Sequence, residues 1–360
     1  AAVELGVRLR LLTVDPDDSA AQVIPDMAVG HHTDLAALER LVDGAAVVTF
    51  DHEHVPTEHL HTLEVRGHAV RPGPQALVHA QDKLVMRQRL TELGVPCPRW
   101  AAVHDAGELT DVAAEVGWPV VLKTPRGGYD GKGVRVARSV EDAADWFARA
   151  AGAPLLAEET VPFRRELSTL VARSPHGQAA TWPVVESVQV DGVCEEVIAP
   201  APDLDDEVAG QATSEALRIA AELGVTGVLA VESFETHDGR VLVNELAMRP
   251  HNSGHWTIDG SVTSQFEQHL RAVLDLPLGA TTSRARWTVM VNVLGGAYED
   301  LYRSYLHVMA RDPGVKVHLY GKAVRPGRKV GHVTVYGDDL DDVRARARHA
   351  ADFIKGVIDE

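Results

Sequence analysis

The sequence lacks three features: a cysteine framework, an excess of positive charge and a long hydrophobic run. Its only cysteines, Cys97 and Cys194, have no metal-type or disulfide-type spacing, which predicts a reducing compartment. The formal net charge of −17 argues against binding of nucleic acid or of an anionic membrane surface. No apolar run approaches membrane-spanning length and no signal-peptide pattern is present, so the cytoplasm is the expected location.

The residues that are present suffice for several hydrophobic cores. Hydrophobic residues make up 45% of the 360 positions, and that length exceeds one ordinary domain. A Pro-Gly-Pro turn at 72–74 and a Pro-Leu-Gly turn at 277–279 mark two boundaries. The expected domains are therefore 1–74, 75–279 with a glycine-loop subdomain at about 98–160, and 280–360.

In the first domain, helices alternate with strands, which predicts a small parallel sheet covered on both faces. The opening AAVELG resembles the end of a helix that stops at Gly6, so the chain is expected to begin inside a β-α-β unit. The run AAVVTF at 45–50 is typical of a buried strand, and a polar loop at 51–56 follows it. Open α/β sheets bind ligands at such strand ends, which makes Glu53 a candidate. The histidines of this loop match no metal-ligand spacing.

The stretch 227–259 contains two alternating apolar runs around an Asp-Gly pair, a pattern typical of a β-hairpin. A two-residue turn at Asp238-Gly239 would place Glu232 directly across from Glu245. Two carboxylates facing each other at about 4 Å repel by roughly 4 kcal/mol at an effective dielectric constant near ~20. A hard cation between them, Mg²⁺ or Mn²⁺, would remove that cost. The alternatives are a solvated hairpin face or a loop of another length.

The segment 119–136, PVVLKTPRGGYDGKGVRV, predicts a strand, a glycine-rich loop and a second strand. Backbone N–H groups at Gly127 and Gly128 could approach phosphate oxygens closely, and Lys123 could meet a phosphate. Lys132 is followed by glycine and an apolar strand, so the segment is not a P-loop. An ordinary glycine-rich hairpin is the alternative interpretation.

Polar residues also follow the second strand of the predicted hairpin. Arg249 is suited to a planar oxyanion, His251 to hydrogen bonding or proton transfer, and Asn252 to offering a metal an oxygen. His251 and His255 have the spacing of a helical zinc site, but a proline and a glycine disfavour a helix there.

Near the end of the chain, two predicted strands flank a Pro-Gly turn surrounded by cations. These cations are Lys322, Arg325, Arg328 and Lys329. In a chain of net charge −17 they form a candidate anion site, and a solvated hairpin tip is the alternative.

Together these residues resemble the ATP-grasp superfamily and, within it, the N5-carboxyaminoimidazole ribonucleotide synthases of purine biosynthesis. The motifs that carry the resemblance are FDHEHVP, AQDKLV, GGYDGKG, NELAMRPHNSGHWT and RPGRKVGH. The resemblance implies an α/β and α+β fold with ATP-grasp architecture, an N-terminal Rossmann-like (pre-ATP-grasp) domain and a small C-terminal domain. It also implies a homodimer. The family's N-terminal Gly-Gly-Gly-Gln-Leu turn is absent here, and Met248 replaces a usual proline.

The reaction that the resemblance implies is an ATP-dependent carbon–nitrogen ligation. ATP phosphorylates bicarbonate to carboxyphosphate, and the exocyclic amine of 5-aminoimidazole ribonucleotide is then carboxylated. Positioning and charge neutralisation would do most of the catalysis. Two alternatives remain at this stage: a superfamily ligase for another acid and amine, and a non-catalytic nucleotide-binding regulator.

The resemblance also implies a role for individual residues. The expected contacts of ATP are Lys83, Lys123, Gly127, Gly128, Glu158, Glu159, Val161 and Glu166. Among these the lysines would reach phosphates, the residues around Glu158 would edge the adenine, and Glu166 would hold the ribose. The expected metal ligands are Glu232 and Glu245.

The other substrates would be held by a second set of residues. Those expected to position bicarbonate and carboxyphosphate are Arg249, His251 and Asn252. Those expected to face the aminoimidazole ribonucleotide are Tyr129, Asp130 and Lys132, with Glu53 on its ribose and Lys322, Arg328 and Lys329 at its 5′-phosphate.

Overall fold

The computed structural model describes residues 1–128 and 133–358. The first elements are β1 (Arg10–Thr13), β2 (Asp26–Val29), α1 (Leu35–Val42) and α2 (Thr57–Val65). Strands β1 and β2 pair in parallel, as the alternating pattern predicts. The predicted strand AAVVTF is wrong, because it contributes only an isolated parallel bridge between Val48 and Val70.

The stretch AQDKLVMRQRLTELG at 80–94, whose composition predicts one helix, is divided between the end of α3 (Pro74–Gln81) and α4 (Lys83–Glu92). Asp82 separates them because its backbone is extended and its carboxylate accepts hydrogen bonds from two N–H groups of the next turn. This cap makes Lys83 the first residue of α4. The backbone N–H of Lys83 donates to the carbonyl of Pro125 at 2.9 Å, which joins the helix start to the glycine-rich segment.

An antiparallel sheet of four strands follows, in the order β3-β6-β4-β5. Its strands are β3 (Trp100–Val103), β4 (Val120–Lys123), β5 (Val134–Ala137) and β6 (Leu155–Glu159). Helices α5 (Ala106–Val116) and α6 (Ala144–Ala150) accompany it. The predicted strand–loop–strand is confirmed in β4 and β5, and β6 coincides with the run LLAEE. Strand β6 pairs with β4, so Glu158 and Lys123 come from neighbouring strands.

Over the described residues, the largest sheet has nine strands in the order β12-β11-β7-β9-β10-β13-β15-β14, with β8 beside β7. Their bounds are β7 (Phe163–Arg173), β8 (Ala179–Thr181), β9 (Val185–Val190), β10 (Val193–Ala199), β11 (Gly227–Thr236), β12 (Val241–Ala247), β13 (Trp287–Leu294), β14 (Lys316–Leu319) and β15 (Lys329–Gly337). The helices are α7 (Asp206–Glu222), α8 (Thr257–Gly260), α9 (Gln265–Val273), α10 (Tyr305–Arg311) and α11 (Leu340–Lys355). The sheet runs continuously from the candidate hairpin β11–β12 to the basic hairpin β14–β15.

Helix α11 is a feature that the sequence reading missed. Asp339 caps its first turn, and Gly356 ends it in the left-handed conformation. Its buried side chains include Val343, Ala347 and Ile354, which belong to the core shared with β13 and β15. A cap, apolar residues at helical spacing and a terminal glycine were all present to predict it.

A second core lies beneath the hairpin β11–β12 and joins it to helices of the first domain. It contains Leu60 of α2, Leu77 of α3, Ile219 of α7 and Val231 of β11. Met248 is wholly buried in the same core, so the residue that departs from the family's usual proline fills apolar space. The loop that follows β12 therefore starts from a rigid base. No helix in residues 1–128 and 133–358 combines the length and apolarity needed to span a bilayer.

His269 of α9 connects two parts of this base. The backbone N–H of Val228 donates to its Nδ1 at 3.0 Å, so the proton of the neutral ring is on Nε2. That nitrogen lies 2.6 Å from Oγ1 of Thr49, which accepts its hydrogen. Burial lowers the pKa of His269 from 6.5 to about 4.

The free energy of unfolding is therefore expected to fall as the pH decreases from 6.5 towards 4, because the unfolded chain binds this proton first. The share of His269 in that loss is about 2–3 kcal/mol. The free energy of unfolding of His269→Gln, measured with urea over the same pH range, should depend less on pH than that of the wild type. The difference should correspond to about one bound proton. An unchanged dependence would contradict this assignment.

Candidate active site

The hairpin β11–β12 places Glu232 opposite Glu245, as predicted. The turn that joins its strands differs from the prediction. The N–H of Thr236 donates to the carbonyl of Arg240 at 2.9 Å, and Gly239, with φ +79°, donates to the carbonyl of Thr236 at 3.0 Å. This is a three-residue turn closed by a left-handed glycine, so the predicted two-residue turn is wrong.

A bulge in β12 compensates for the longer turn. Ser233 faces Val243, whereas Glu232 faces Glu245, which leaves Asn244 as the extra residue. The Oδ1 atom of Asn244 accepts a hydrogen bond from Nζ of Lys123 at 2.9 Å. The bulge therefore restores the carboxylate pair and also directs an amide to a candidate phosphate-binding lysine. The sequence reading did not single out Asn244.

Glu232 and Glu245 lie in different electrostatic environments. Burial, with the negative charges of the neighbouring Glu245 and Glu166, raises the pKa of Glu232 to about 8. Glu245 forms an ion pair with Lys83, the first residue of α4. The lysine predicted to reach a nucleotide phosphate thus neutralises one of the two predicted metal ligands.

These side chains fit a magnesium ion. Their oxygens are hard donors, and a cation between them would relieve the burial and the carboxylate repulsion that raise the pKa of Glu232. Among the described residues, no three His, Cys, Asp or Glu side chains form a group able to hold a metal. Magnesium commonly takes one or two carboxylates together with substrate phosphates, which matches a two-carboxylate site.

A buried ionic cluster lies next to the bulge. Lys123 is 9% exposed, and its Nζ lies 2.6 Å from Oε2 of Glu158. Glu158 also pairs with Arg87, which is completely buried and donates to the carbonyl of Asn244 at 2.7 Å. Burial opposes ionisation of Glu158, but Arg87 and Lys123 outweigh it and lower the pKa of the carboxyl. Burial lowers the pKa of Lys123 despite the adjacent carboxylate.

The remaining residues predicted for ATP are Glu159, Val161 and Glu166, on β6, β7 and the loop between them. Glu159 ends β6 and accepts two hydrogen bonds from Arg99, at 2.9 and 2.8 Å. Val161 follows in the loop that leads to β7 and is partly buried. Glu166 of β7 faces Phe234 of β11, and burial raises its pKa to about 7. Its assignment to the ATP ribose, like those of Glu158, Glu159 and Val161 to the adenine, stays a prediction.

The loop after β12 contains a short 3₁₀ turn at Asn252–Gly254, not an α-helix. Gln265 of α9 fixes this loop by accepting from the N–H of His251 and donating to its carbonyl, both at 2.8 Å. The Nε2 of His251 lies 3.5 Å from Oε1 of Glu232. Burial, with Arg249, lowers the pKa of His251 well below its usual value, so the ring is neutral.

Arg249 brings the first domain into the site. Its Nε lies 2.8 Å from Oε2 of Glu53, although the two residues are 196 positions apart. The other carboxylate oxygen of Glu53 is buried and forms no hydrogen bond to any described residue. The structure thus unites a residue predicted for bicarbonate with one predicted for the ribonucleotide ribose.

The basic hairpin is the candidate anion site predicted between the last two strands of the chain. Lys322 and Arg328 are exposed, with Nζ of Lys322 at 5.4 Å from the ring centre of Tyr320. Lys329, the first residue of β15, is partly buried and close enough to act on His255. Burial, with Lys329, lowers the pKa of His255 to about 4. Lys329 and Lys322 therefore lie near the loop after β12, whereas the assignment of Arg328 to the site stays a prediction.

The glycine-rich loop is described only at its edges. Gly127 has φ +79°, which favours glycine, and the N–H of Thr124 donates to the carbonyl of Gly133 at 2.9 Å. A Cβ on Gly133 would lie only 2.5 Å from Oγ1 of Thr124 and 3.3 Å from Cα of Gly128. The predicted residues Tyr129, Asp130 and Lys132 lie outside the described residues.

Three family models match the chain. They are a ribonucleotide synthetase pre-ATP-grasp domain at 1–81, an ATP-grasp domain at 88–266 and a phosphoribosylaminoimidazole carboxylase C-terminal domain at 288–346. The N5-carboxyaminoimidazole ribonucleotide synthase of Mycobacterium tuberculosis is 59% identical over 98% of this chain and 84% of its own length. That of Synechococcus elongatus is 40% identical over 93% and 85%.

Solved structures agree with these matches. The N5-carboxyaminoimidazole ribonucleotide synthetase of Thermus thermophilus has a TM-score of 0.87 at 38% identity, over 100% of this chain and 94% of its own. The Aspergillus clavatus synthase, solved with ADP and 5-aminoimidazole ribonucleotide, has a TM-score of 0.88 at 30% identity, over 98% and 93%. The predicted ATP-grasp fold is confirmed. The chain belongs to the N5-carboxyaminoimidazole ribonucleotide synthase family of ATP-dependent ligases.

Proposed function

We propose that this chain carboxylates 5-aminoimidazole ribonucleotide with bicarbonate and ATP, through carboxyphosphate. The products are N5-carboxyaminoimidazole ribonucleotide, ADP and phosphate. The observation that carries the proposal is the carboxylate pair Glu232 and Glu245. Glu245 contacts Lys83, a lysine predicted to bind phosphate, and Glu232 lies beside the loop after β12. One site can therefore hold a nucleotide and its acceptor together.

On the nucleotide side, Lys83 and Lys123 bind phosphate oxygens, and Gly127 and Gly128 offer backbone N–H groups. Lys83 leaves Glu245 when nucleotide binds, because a polyphosphate carries more negative charge than one carboxylate. Magnesium held by Glu232 and Glu245 would neutralise phosphate charge during transfer. The residues from Glu158 to Val161 edge the adenine, and Glu166 holds the ribose.

Bicarbonate and carboxyphosphate are bound by Arg249, His251 and Asn252. A guanidinium matches a planar oxyanion through two parallel hydrogen bonds. The lowered pKa of His251 makes its ring a weak base, so we assign it hydrogen bonding rather than proton uptake in the free protein. Carboxyphosphate is short-lived in water, so the site has to exclude solvent while this intermediate is present.

The ribonucleotide lies between the first domain and the basic hairpin. The unpartnered oxygen of Glu53 accepts a ribose hydroxyl, and the hairpin cations bind the 5′-phosphate. These cations are Lys322, Arg328 and Lys329. We also assign Tyr129, Asp130 and Lys132 to the aminoimidazole group.

The wider organisation follows the same family. We propose domain borders near 74 and 279, a homodimer, and a cytoplasmic location, the last supported by two free cysteines. Light scattering of the purified chain at micromolar concentration tests the dimer. A monomer over the whole concentration range would contradict it.

The function is tested by coupled turnover. ADP release is expected only when bicarbonate and 5-aminoimidazole ribonucleotide are both present. Equal ATP hydrolysis without the ribonucleotide would contradict the coupling, and preference for glycinamide ribonucleotide with formate would indicate another ligase of the superfamily. Nucleotide binding without turnover on any acceptor would indicate a regulator.

A further inference from the structure

Asn292 lies on β13, outside the loop that carries Arg249 to Asn252, and its side chain is completely buried. Its Nδ2 donates to the carbonyl of Cys194 at 2.9 Å and to Oδ1 of Asn252 at 2.8 Å. Its Oδ1 accepts from Nδ2 of Asn252 at 3.0 Å. The two amides thus form a reciprocal pair between the C-terminal part of the large sheet and the site loop.

The orientation of this pair follows from the carbonyl of Cys194. An amide group can turn over and exchange its oxygen and nitrogen, and the surrounding hydrogen bonds decide between the two arrangements. A backbone carbonyl only accepts, so the nitrogen of Asn292 must face Cys194. Its second hydrogen then requires an acceptor from Asn252, which fixes Oδ1 of Asn252 on that side.

The pair with Asn292 uses only half of the hydrogen-bonding capacity of the Asn252 amide. An amide oxygen has two lone pairs and an amide nitrogen has two hydrogens, and Asn292 uses one of each. One lone pair and one N–H of Asn252 therefore remain for other partners, with their positions set by Asn292. Without that contact the amide of Asn252 could turn over and present the opposite atom.

We propose that Asn292 is a positioning residue for the ligase reaction and fixes the amide orientation of Asn252. The inference rests on the proposed function, in which Asn252 contacts bicarbonate or carboxyphosphate. Asn292 itself touches no substrate. It acts through Asn252 alone, so its removal should affect the acceptor half of the reaction more than nucleotide binding.

The test is Asn292→Leu, which keeps the branched shape and removes every hydrogen bond. We expect the KM for bicarbonate to rise by about 10-fold or more with a lower kcat, and the Kd of ATP to stay within about twofold. Equal losses in bicarbonate and ATP parameters, or an unchanged bicarbonate KM, would overturn the proposal. If this variant does not fold, Asn292→Asp is the second variant. A carboxylate still accepts a hydrogen bond from Nδ2 of Asn252, but it has no N–H to donate to Oδ1 of Asn252 and so does not fix that oxygen.

Thr288→Val is the matched control. Thr288 lies on the same strand, is also buried, and its hydroxyl has no hydrogen-bond partner in the described structure. This control should leave the bicarbonate KM unchanged. The outcomes also separate the two claims: a wild-type protein without bicarbonate-dependent turnover contradicts the proposed function, whereas normal bicarbonate kinetics in Asn292→Leu contradict only the role of Asn292.

A second measurement uses the Asn252→Asp background. A carboxylate has oxygen at both ends, so turning it over changes nothing. If orientation is the role of Asn292, adding Asn292→Leu should then have much less effect on bicarbonate-dependent ADP release than it has in the wild type. The same fold-loss in both backgrounds would overturn the proposal.

Discussion

Replacement of Glu245 by glutamine is expected to reduce turnover by at least about 10³-fold. A divalent ion that polarises phosphoryl oxygens contributes several kcal/mol to transition-state stabilisation, and about 4 kcal/mol corresponds to that factor. Glu245 is one of the two facing carboxylates, and glutamine keeps its size while removing its charge. Glu232 would then be the only carboxylate left to hold the ion, and one carboxylate binds magnesium more weakly than two.

The same variant is expected to stay folded. Loss of the ion pair with Lys83 is offset by relief of the repulsion from Glu232, and the side chain of Glu245 is 40% exposed. ADP release at saturating substrates and thermal unfolding would be measured together. Glu222→Gln, at the exposed end of α7, is the matched control and should retain full turnover. Turnover of Glu245→Gln within tenfold of the wild type would refute its assigned role.

The carboxylate pair shows how far sequence reasoning extends. The facing positions of Glu232 and Glu245 are confirmed, but two deviations from ideal hairpin geometry cancel to produce them. The turn has one more residue than the Asp-Gly pair suggests, and a bulge at Asn244 restores the register. Alternation predicts which residues share a face, whereas bulge positions depend on partners such as Lys123 that only the tertiary fold supplies.

Local signals had mixed success elsewhere. The antiparallel strands β4 and β5 lie where the strand–loop–strand pattern of 119–136 predicts them. The helix through AQDKLV is interrupted because Asp82 is a better cap than a helix-interior residue, a signal that was readable in advance. The run AAVVTF contributes only one bridge, since a strand also needs neighbours with which to pair.

The contacts between site residues that are distant in the sequence could not be predicted. Arg87 reaches Glu158 across 71 positions, Asn292 reaches Asn252 across 40, and Arg249 reaches Glu53 across 196. Periodicity and capping describe neighbours within a few residues, so they carry no information on such pairs. Recognition of the motifs identified which residues belong to the site, and the structure adds which of them contact one another.

The buried cluster of Arg87, Glu158 and Lys123 leads to the largest expected effect on stability. Glu158→Gln removes the anion that two buried cations share, because Arg87 is fully buried and Lys123 nearly so. Breaking a buried ion pair on one side leaves an uncompensated charge and costs roughly 3–5 kcal/mol. The free energy of unfolding at about pH 7 should therefore fall by that amount in urea titrations.

Glu159→Gln is the matched control, since it makes the same change on the adjacent residue of β6. Its partner Arg99 is 61% exposed, and exposed pairs contribute about 0–1 kcal/mol.

The pH dependence gives an independent check. The pKa of Glu158 lies below its ordinary value of 4.5, so its stabilising share is present above that pH and is lost as the pH falls through the lowered pKa. The difference in unfolding free energy between wild type and Glu158→Gln should shrink there. Equal destabilisation by Glu158→Gln and Glu159→Gln, or a difference that does not change with acid, would show that the buried cluster contributes no more than a surface pair.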